Sequence, residues 1–297
     1  MAVLPPRAVF VTRETDYELL RARHATREQA RFYLETRGQT LAELEARHDR
    51  FHAVMKSVRN EVPGEWRQTL VRRADLDRFL FAAEDVIIAV GQDGLVANVA
   101  KYLNGQPVLG VNPAPDLYDG ILVRIRPDAL QKAMLAALGG DAAIEYRTMV
   151  EGVLDTGEQL LALNELFIGH RSHQSARYRI SVDTKSEDHS SSGLIVSTGT
   201  GATGWARSIM EATGKHLRLD CQERAIAFFV REPFPSVTTG TSLRAGKLER
   251  KTLTVTSQMN DGGIIFADGI EQDFLAFDWG RKISLAPSAR ILNLVVA

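Results

Sequence analysis

A short polar turn follows one of the most apolar segments of the chain. Residues 91–94 read GQDG and come directly after DVIIAV, which is typical of a strand buried on both faces. Two glycines let backbone N–H groups approach an anion, and the start of the next helix adds positive potential. Asp93 adds a carboxylate that would act on a hydroxyl group or a metal ion. A plain tight turn with Asp93 as helix cap is the alternative, and these four residues alone favour it.

A second segment joins a strand to a helix through small residues. Residues 190–205 read SSSGLIVSTGTGATGW, in which a strand ending at Ser197 is followed by seven residues that are all Thr, Gly or Ala. Small residues allow a ligand close to the backbone, and hydroxyls hydrogen-bond phosphate or ribose. A turn without a ligand is the alternative, but such a turn seldom needs so many small residues. We therefore interpret the segment as a ligand-binding loop.

Two weaker signals are an amide beside a carboxylate and a proline-rich turn. Asn164 and Glu165 interrupt an apolar strand pattern. Adjacent strand residues face opposite sides, so both side chains reach one polar surface only where the strand ends or bulges. Asn112 starts the turn NPAPD directly after a predicted strand over residues 107–111.

The elements that must position these segments divide the chain into two predicted domains. Residues 1–120 alternate strands and helices, and the GQDG turn lies inside a β-α-β unit whose functional edge is at the carboxyl ends of the strands. After a helical stretch over 127–138, residues 121–286 consist mainly of strand-length segments separated by turns, which predicts a β-rich domain. The final strand, about 287–297, is expected to return to the first domain.

Composition excludes several classes of protein. The 297 residues are 44% hydrophobic, as in folded proteins, and 36 basic against 37 acidic residues leave a net charge of −1. This balance predicts no nucleic-acid partner. Because the chain lacks an apolar stretch of about 18 residues or a signal-peptide pattern and has one cysteine, Cys221, we expect a cytoplasmic protein without membrane segments.

A group of residues with metal-binding side chains also lies on a predicted helix. His48, Asp49, Arg50 and His52 lie close together in the sequence. Helical spacing alone provides no complete ligand geometry, so we interpret this group as a solvated helix face.

In their order along the chain, the four polar segments resemble the motifs of the NAD kinase family. That family carries GGDG, PVLGIN, an NE pair and GLIVSTPTGSTAY; here the segments read GQDG, PVLGVN, NE and GLIVSTGTGATGW. The turn that starts at Asn112 is similar to the divergent, mitochondrial-type branch. The resemblance implies a Rossmann-like α/β domain followed by a C-terminal β-sandwich-like domain.

The resemblance also implies an activity and its partners. NAD kinases phosphorylate the 2′-hydroxyl of the adenosine ribose of NAD, giving NADP, with ATP or polyphosphate as donor and Mg²⁺ beside the donor phosphates. Family members assemble through the β-rich domain, so we expect a homodimer or homotetramer.

Residue roles follow from the same resemblance, position by position. Asp93 would activate the ribose hydroxyl. The phosphate-binding positions would be Gly91, Gln92 and Gly94. The NAD-binding positions would be Asn112, Asn164, Glu165, Thr198, Thr200, Gly201 and Thr203.

Four positions depart from the family pattern. Gln92 replaces a glycine, Leu95 a threonine, Ser192 an aspartate and Trp205 a tyrosine. Gln92 and Ser192 leave open a catalytically silent dinucleotide-binding or regulatory homologue. Lipid and sugar kinases also carry GGDG, although the NE pair and the small-residue loop argue against them. The sequence names no metal ligand.

Overall fold

The computed structural model describes residues 5–117 and 120–296, which form two compact units. The first unit comprises Met1–Ile144 and Asn293–Ala297, and the second unit comprises Glu145–Leu292. The division that the sequence predicts, at residue 120, stays a prediction. In the structure, the helix that follows this position packs into the core of the first unit, through Leu130 and Met134.

Parallel strands form the sheet of the first unit. They are β1 (Arg7–Thr12), β2 (Arg67–Arg72), β3 (Asp85–Val90) and β4 (Pro107–Val111), in the spatial order β2-β1-β3-β4. The end of the chain returns to this sheet, where Asn293 pairs with Pro107 in a parallel bridge. Every residue of β3 is buried, which agrees with its continuous apolar pattern.

Five helices of the first unit lie among the described residues. They are α1 (Asp16–Arg23), α2 (Arg27–Glu35), α3 (Leu41–Asn60), α4 (Asp93–Ala100) and α5 (Leu130–Gly139). Threonine hydroxyls at Thr15, Thr26 and Thr40 cap the first three N-termini. Gly38, with φ of 67°, lies between α2 and α3 and gives the chain the left-handed residue that this break requires. Within residues 5–117 and 120–296, no helix is both long and apolar enough to cross a bilayer.

The second unit is built from antiparallel strands and one helix. The strands are β5 (Ala143–Leu154, starting in the first unit), β6 (Gln159–Ala162), β7 (Glu165–His170), β8 (Ala176–Val182), β9 (Lys185–Ser191), β10 (Leu194–Ser197), β11 (Ile226–Val230), β12 (Ala245–Leu248), β13 (Leu253–Ser257), β14 (Gly263–Ala267), β15 (Phe274–Ala276) and β16 (Lys282–Val296). Helix α6 (Trp205–Thr213) follows β10.

Two layers of strands enclose the core of the second unit. One layer has the order β12-β11-β10-β7-β14-β15, and the other contains β16, β13, β8 and β9, with β5 beside β16. Buried side chains from both layers, such as Val196 and Ile265 from the first and Ile180 and Val255 from the second, form one apolar cluster. The predicted fold class, an α/β part followed by a β-sandwich-like part, is confirmed.

Candidate functional site

The GQDG turn of the first unit lies at the carboxyl end of β3. The backbone N–H of Gly91 donates to the carbonyl of Val111 at 3.1 Å, so the turn adjoins the end of β4. Helix α4 begins at Asp93, and Gln92 is its N-cap without a side-chain capping bond. The turn therefore occupies the strand edge at which open α/β sheets bind ligands.

Asp93 is held by backbone N–H groups from a distant part of the same unit. Its Oδ2 accepts from Ile121 at 2.9 Å, and its Oδ1 accepts from Leu122 at 2.8 Å and from Val123 at 3.1 Å. The carboxylate thus anchors another loop instead of capping α4. An ionised carboxylate offers about four acceptor positions, so roughly one remains for a ligand hydroxyl.

A pocket of about 290 Å³ opens beside the turn, within the first unit. Gly91 and Gln92 form part of its wall, together with the guanidinium-bearing residues Arg13, Arg47 and Arg50. Arg13 donates through Nη2 to Oε1 of Gln92 at 3.3 Å. Guanidinium groups beside a helix N-terminus are well suited to bind phosphate.

The two glycines of the turn differ in the space around them. A Cβ at Gly91 would lie 3.1 Å from Cδ2 of Leu95, whereas a Cβ at Gly94 would meet nothing within 4 Å. Packing within the protein therefore explains why residue 91 is a glycine, but it does not explain the glycine at position 94. Close approach of a ligand is a reason for glycine at position 94 that the protein itself does not supply.

Asn112 lies at the end of β4 and is nearly fully buried. Its Oδ1 accepts from the backbone N–H of Ala114 at 2.9 Å, and its own N–H donates to the carbonyl of Ile125 at 3.1 Å. These bonds make Asn112 a support for the proline-rich turn. The structure places it near the GQDG turn, because both adjoin the end of β4.

Asn164 and Glu165 of the second unit lie at a break between two strands, as the sequence indicates. β6 ends at Ala162 and β7 begins at Glu165. Asp268 holds the break: its carboxylate accepts from the backbone N–H groups of Leu163 at 2.9 Å, Asn164 at 2.7 Å and Glu165 at 3.3 Å. Asp268 itself has a left-handed backbone, with φ of 50°.

The environment of Glu165 favours the protonated form of its carboxyl. Burial, together with the negative charge of Asp268, raises the pKa of Glu165 from 4.5 to about 7. Among the described residues its side chain makes no hydrogen bond, and it keeps partial exposure. Near neutral pH, a carboxyl group with such a pKa is able both to donate and to accept a hydrogen bond.

The small-residue loop after β10 uses several of its hydroxyls internally. Thr198 is fully buried; its Oγ1 donates to the carbonyl of Leu163 and accepts from the N–H groups of Thr200 at 3.1 Å and Gly201 at 3.3 Å. The backbone N–H of Thr198 donates to the carbonyl of Asn164 at 2.9 Å. The loop and the NE pair are therefore one hydrogen-bonded assembly.

Glycines in this loop are required by packing as well. A Cβ at Gly199 would lie 2.1 Å from the carbonyl oxygen of Asp220, and one at Gly201 would lie 2.1 Å from that of Asn164. Thr203 is exposed at the end of the loop and donates to the carbonyl of Thr200 at 2.9 Å. Of the predicted NAD-binding hydroxyls, the one at position 203 is thus the most open to a ligand.

A buried arginine supports the loop, and the sequence patterns gave no sign of it. Arg147 is 2% exposed; it donates through Nη1 to Oγ1 of Thr200 at 3.2 Å and through Nη2 to Oε2 of Glu145 at 2.6 Å. Because a buried guanidinium without partners is costly, this pair of bonds fixes the position of Thr200.

Curated relatives of this chain are NAD kinases. The NAD kinase of Chlorobaculum tepidum is 26% identical over 275 residues, which cover 92% of this chain and 89% of that protein. The mitochondrial NAD kinase 2 of Homo sapiens is 29% identical over 259 residues, which cover 69% of this chain and 58% of that protein. No family model matches the chain.

Solved structures agree with the fold. A yeast NADH kinase complexed with NADH superposes with a TM-score of 0.64 at 13% identity, covering 99% of this chain and 84% of that one. An NAD kinase from Archaeoglobus fulgidus in complex with ATP gives a TM-score of 0.60 at 18% identity, covering 98% and 93%. Together with the sequence relatives, which include the mitochondrial type, these matches support the similarity to NAD kinases that the sequence motifs indicate.

Proposed function

We propose that this protein is an NAD kinase, which transfers a phosphoryl group from ATP or polyphosphate to the 2′-hydroxyl of the adenosine ribose of NAD. The observation that carries the proposal is Asp93, a carboxylate fixed by three backbone N–H groups beside an arginine-lined pocket. Phosphoryl transfer needs positioning, a proton acceptor and neutralisation of charge, and the first unit offers all three.

Asp93 orients the ribose hydroxyl and accepts its proton. As the hydroxyl oxygen forms its bond to the terminal phosphorus, the bond from that phosphorus to the bridging oxygen breaks, and ADP or the shortened polyphosphate leaves. The guanidinium groups of Arg13, Arg47 and Arg50 stabilise the donor phosphates through charge-assisted hydrogen bonds. Gln92, which replaces the family glycine, is held by Arg13 at the pocket wall and adds an amide to it.

The second unit supplies the dinucleotide contacts in this proposal. Asn164 and Glu165 bind the ribose, and the exposed side chain of Thr203 at the end of the loop contacts the dinucleotide. Thr198, Thr200 and Gly201 shape the loop, because their bonds and packing are internal to it. Both the yeast NADH kinase and the archaeal NAD kinase carry a nucleotide in their solved complexes, which supports the assignment of nucleotide ligands.

We also propose that Mg²⁺ accompanies the donor phosphates. Mg²⁺ binds through one or two carboxylates plus phosphate oxygens, and the pocket wall includes Glu14 and Asp16. These oxygen donors fit a hard cation and would hold it beside the phosphates. When bound, the ion neutralises the charge that develops during transfer.

Self-association is a further part of the proposal. Phe234 and Trp279 of the second unit are each 66% exposed, and large exposed aromatic side chains are common at protein interfaces. We expect a homodimer or homotetramer, and light scattering that gives a monomer mass would contradict this. The cytoplasmic location stays a prediction.

The test is an assay of NADP formation with purified protein, NAD, Mg²⁺ and either ATP or polyphosphate. Wild-type protein should form NADP with at least one donor and should not phosphorylate a diacylglycerol acceptor. No NADP with any donor would favour the silent dinucleotide-binding homologue. In that case Gln92→Gly, which restores the family glycine, would show whether the glutamine blocks turnover.

A further inference from the structure

Three metal-binding side chains meet on the surface of the first unit, and one of them, His48, also lines the pocket beside the GQDG turn. Glu18 lies on α1, and His48 and His52 lie one turn apart on α3. Their ligand atoms all lie within 4.8 Å of one another. Oε1 of Glu18 is 3.4 Å from Nε2 of His52, and the two imidazole rings have centroids 4.3 Å apart.

From the sequence we interpreted these histidines as a solvated helix face, because helical spacing alone gives no complete ligand geometry. Glu18 lies thirty residues before His48 and reaches it only through the packing of α1 on α3. Asp49, which is adjacent in the sequence, is not part of the group. Two imidazoles and one carboxylate are a common ligand set for Zn²⁺.

Thr15 orients one of the imidazoles. Its Oγ1 lies 2.8 Å from Nδ1 of His48, and it is also the N-cap of α1, where its backbone N–H donates to Oε2 of Glu18 at 2.7 Å. Metal-binding histidines characteristically hydrogen-bond through the other ring nitrogen, which fixes the tautomer and the ring orientation. The capping motif thus places a carboxylate and an imidazole together through one residue.

We propose that Glu18, His48 and His52 form a Zn²⁺ site. Tetrahedral Zn²⁺ with ligands at about 2.0–2.2 Å needs ligand atoms roughly 3.3 Å apart, close to the separation of Glu18 and His52. His52 is half exposed, so rotation of its side chain closes the remaining gap. Three protein ligands leave a fourth position for water or another ligand. Imidazoles select Zn²⁺ over Mg²⁺, which prefers oxygen.

Metal binding is measured directly on the full chain, so the test does not depend on phosphoryl transfer. Tag-free protein is stripped with a chelator, dialysed and titrated with Zn²⁺ by calorimetry and with Co²⁺ by visible absorption. We expect one Zn²⁺ per chain, a tetrahedral Co²⁺ spectrum, a higher melting temperature with Zn²⁺ and no displacement by excess Mg²⁺.

Single variants identify the ligands. His48→Gln and His52→Gln should each weaken Zn²⁺ binding about 100-fold or more, since loss of an outer partner alone costs 10- to 100-fold. Glu18→Gln should do the same while leaving α1 capped, because glutamine also completes a capping box. His216→Gln, an exposed histidine of the second unit, is the matched control and should bind as wild type.

The proposal is wrong if wild-type protein binds no stoichiometric Zn²⁺, or if Mg²⁺ displaces it. It is equally wrong if all three variants, folded by circular dichroism, bind Zn²⁺ as tightly as the His216→Gln control.

Discussion

Asp93→Asn separates a structural role from a chemical one. The carboxylate accepts three backbone N–H bonds, two at Oδ1 from Leu122 and Val123 and one at Oδ2 from Ile121. An amide keeps one acceptor oxygen, so its NH₂ group must face at least one backbone N–H. The variant therefore loses at least one hydrogen bond to a charged acceptor, worth about 1.5–3 kcal/mol.

This loss predicts a measurable decrease in stability. Ile121 is exposed, so water can satisfy its N–H and the cost falls toward the lower end of that range. For a unit of this size the melting temperature should drop by roughly 3–12 °C. Asp77→Asn removes an exposed carboxylate from the same unit and is the matched control, which should melt as wild type.

The chemical effect is measured at a temperature where the variant is folded. Loss of the proton acceptor should lower kcat for NADP formation about 10²–10⁴-fold with little change in KM for NAD. Undiminished kcat together with the lower melting temperature would leave Asp93 a purely structural anchor and refute its catalytic role. An unchanged melting temperature would refute the three N–H contacts themselves.

Three further variants test the remaining contacts. Gly94→Ala should leave the free energy of unfolding unchanged or raise it by up to about 0.5–1 kcal/mol, because alanine favours the helix and its Cβ meets no protein atom within 4 Å. The variant should nevertheless raise KM for the donor, because the added Cβ enters the space that the phosphates would occupy. An unchanged KM would contradict that placement. Because the pKa of Glu165 is raised to about 7, the free energy of unfolding of wild type should fall by up to about 3 kcal/mol as pH rises from about 4.5 through 7. Glu165→Gln should remove this contribution, which is measured by urea denaturation at pH 5 and pH 8. Asp268→Asn should raise KM for NAD more than it lowers kcat, since it releases the backbone of Asn164 and Glu165; equal kinetics with wild type would show that the strand break holds itself.

The sequence predicted those features of the fold that depend on residues adjacent in the chain. The continuous apolar run of β3 predicted a strand covered on both faces. The polar pair at Asn164 indicated a strand that ends or bulges there, and the structure shows a strand end. In both cases the signal and the structural consequence lie within a few residues. The small residues after β10 led us to interpret the segment as a ligand-binding loop between a strand and a helix, but packing against Asp220 explains part of that composition.

Contacts between distant segments could not be predicted in this way. Arg147 reaches Thr200 across the chain, and Glu18 reaches His48 only because two helices pack together. A single arginine or glutamate has no spacing that distinguishes it from a solvated residue. Such residues become recognisable only when the tertiary structure supplies their partners.

Asp93 and Asp268 each combine a structural role, anchoring a segment of backbone, with a place beside the proposed ligand contacts. Each carboxylate accepts three successive or neighbouring backbone N–H groups within its own unit, and each thereby fixes a segment next to proposed ligand contacts. A carboxylate that already satisfies three donors is rigid, so whatever acceptor position remains is fixed in direction before a substrate arrives. Such preorganisation reduces the rearrangement needed during the reaction. An aspartate retained at position 93 beside the substituted Gln92 therefore preserves the element that phosphoryl transfer most depends on.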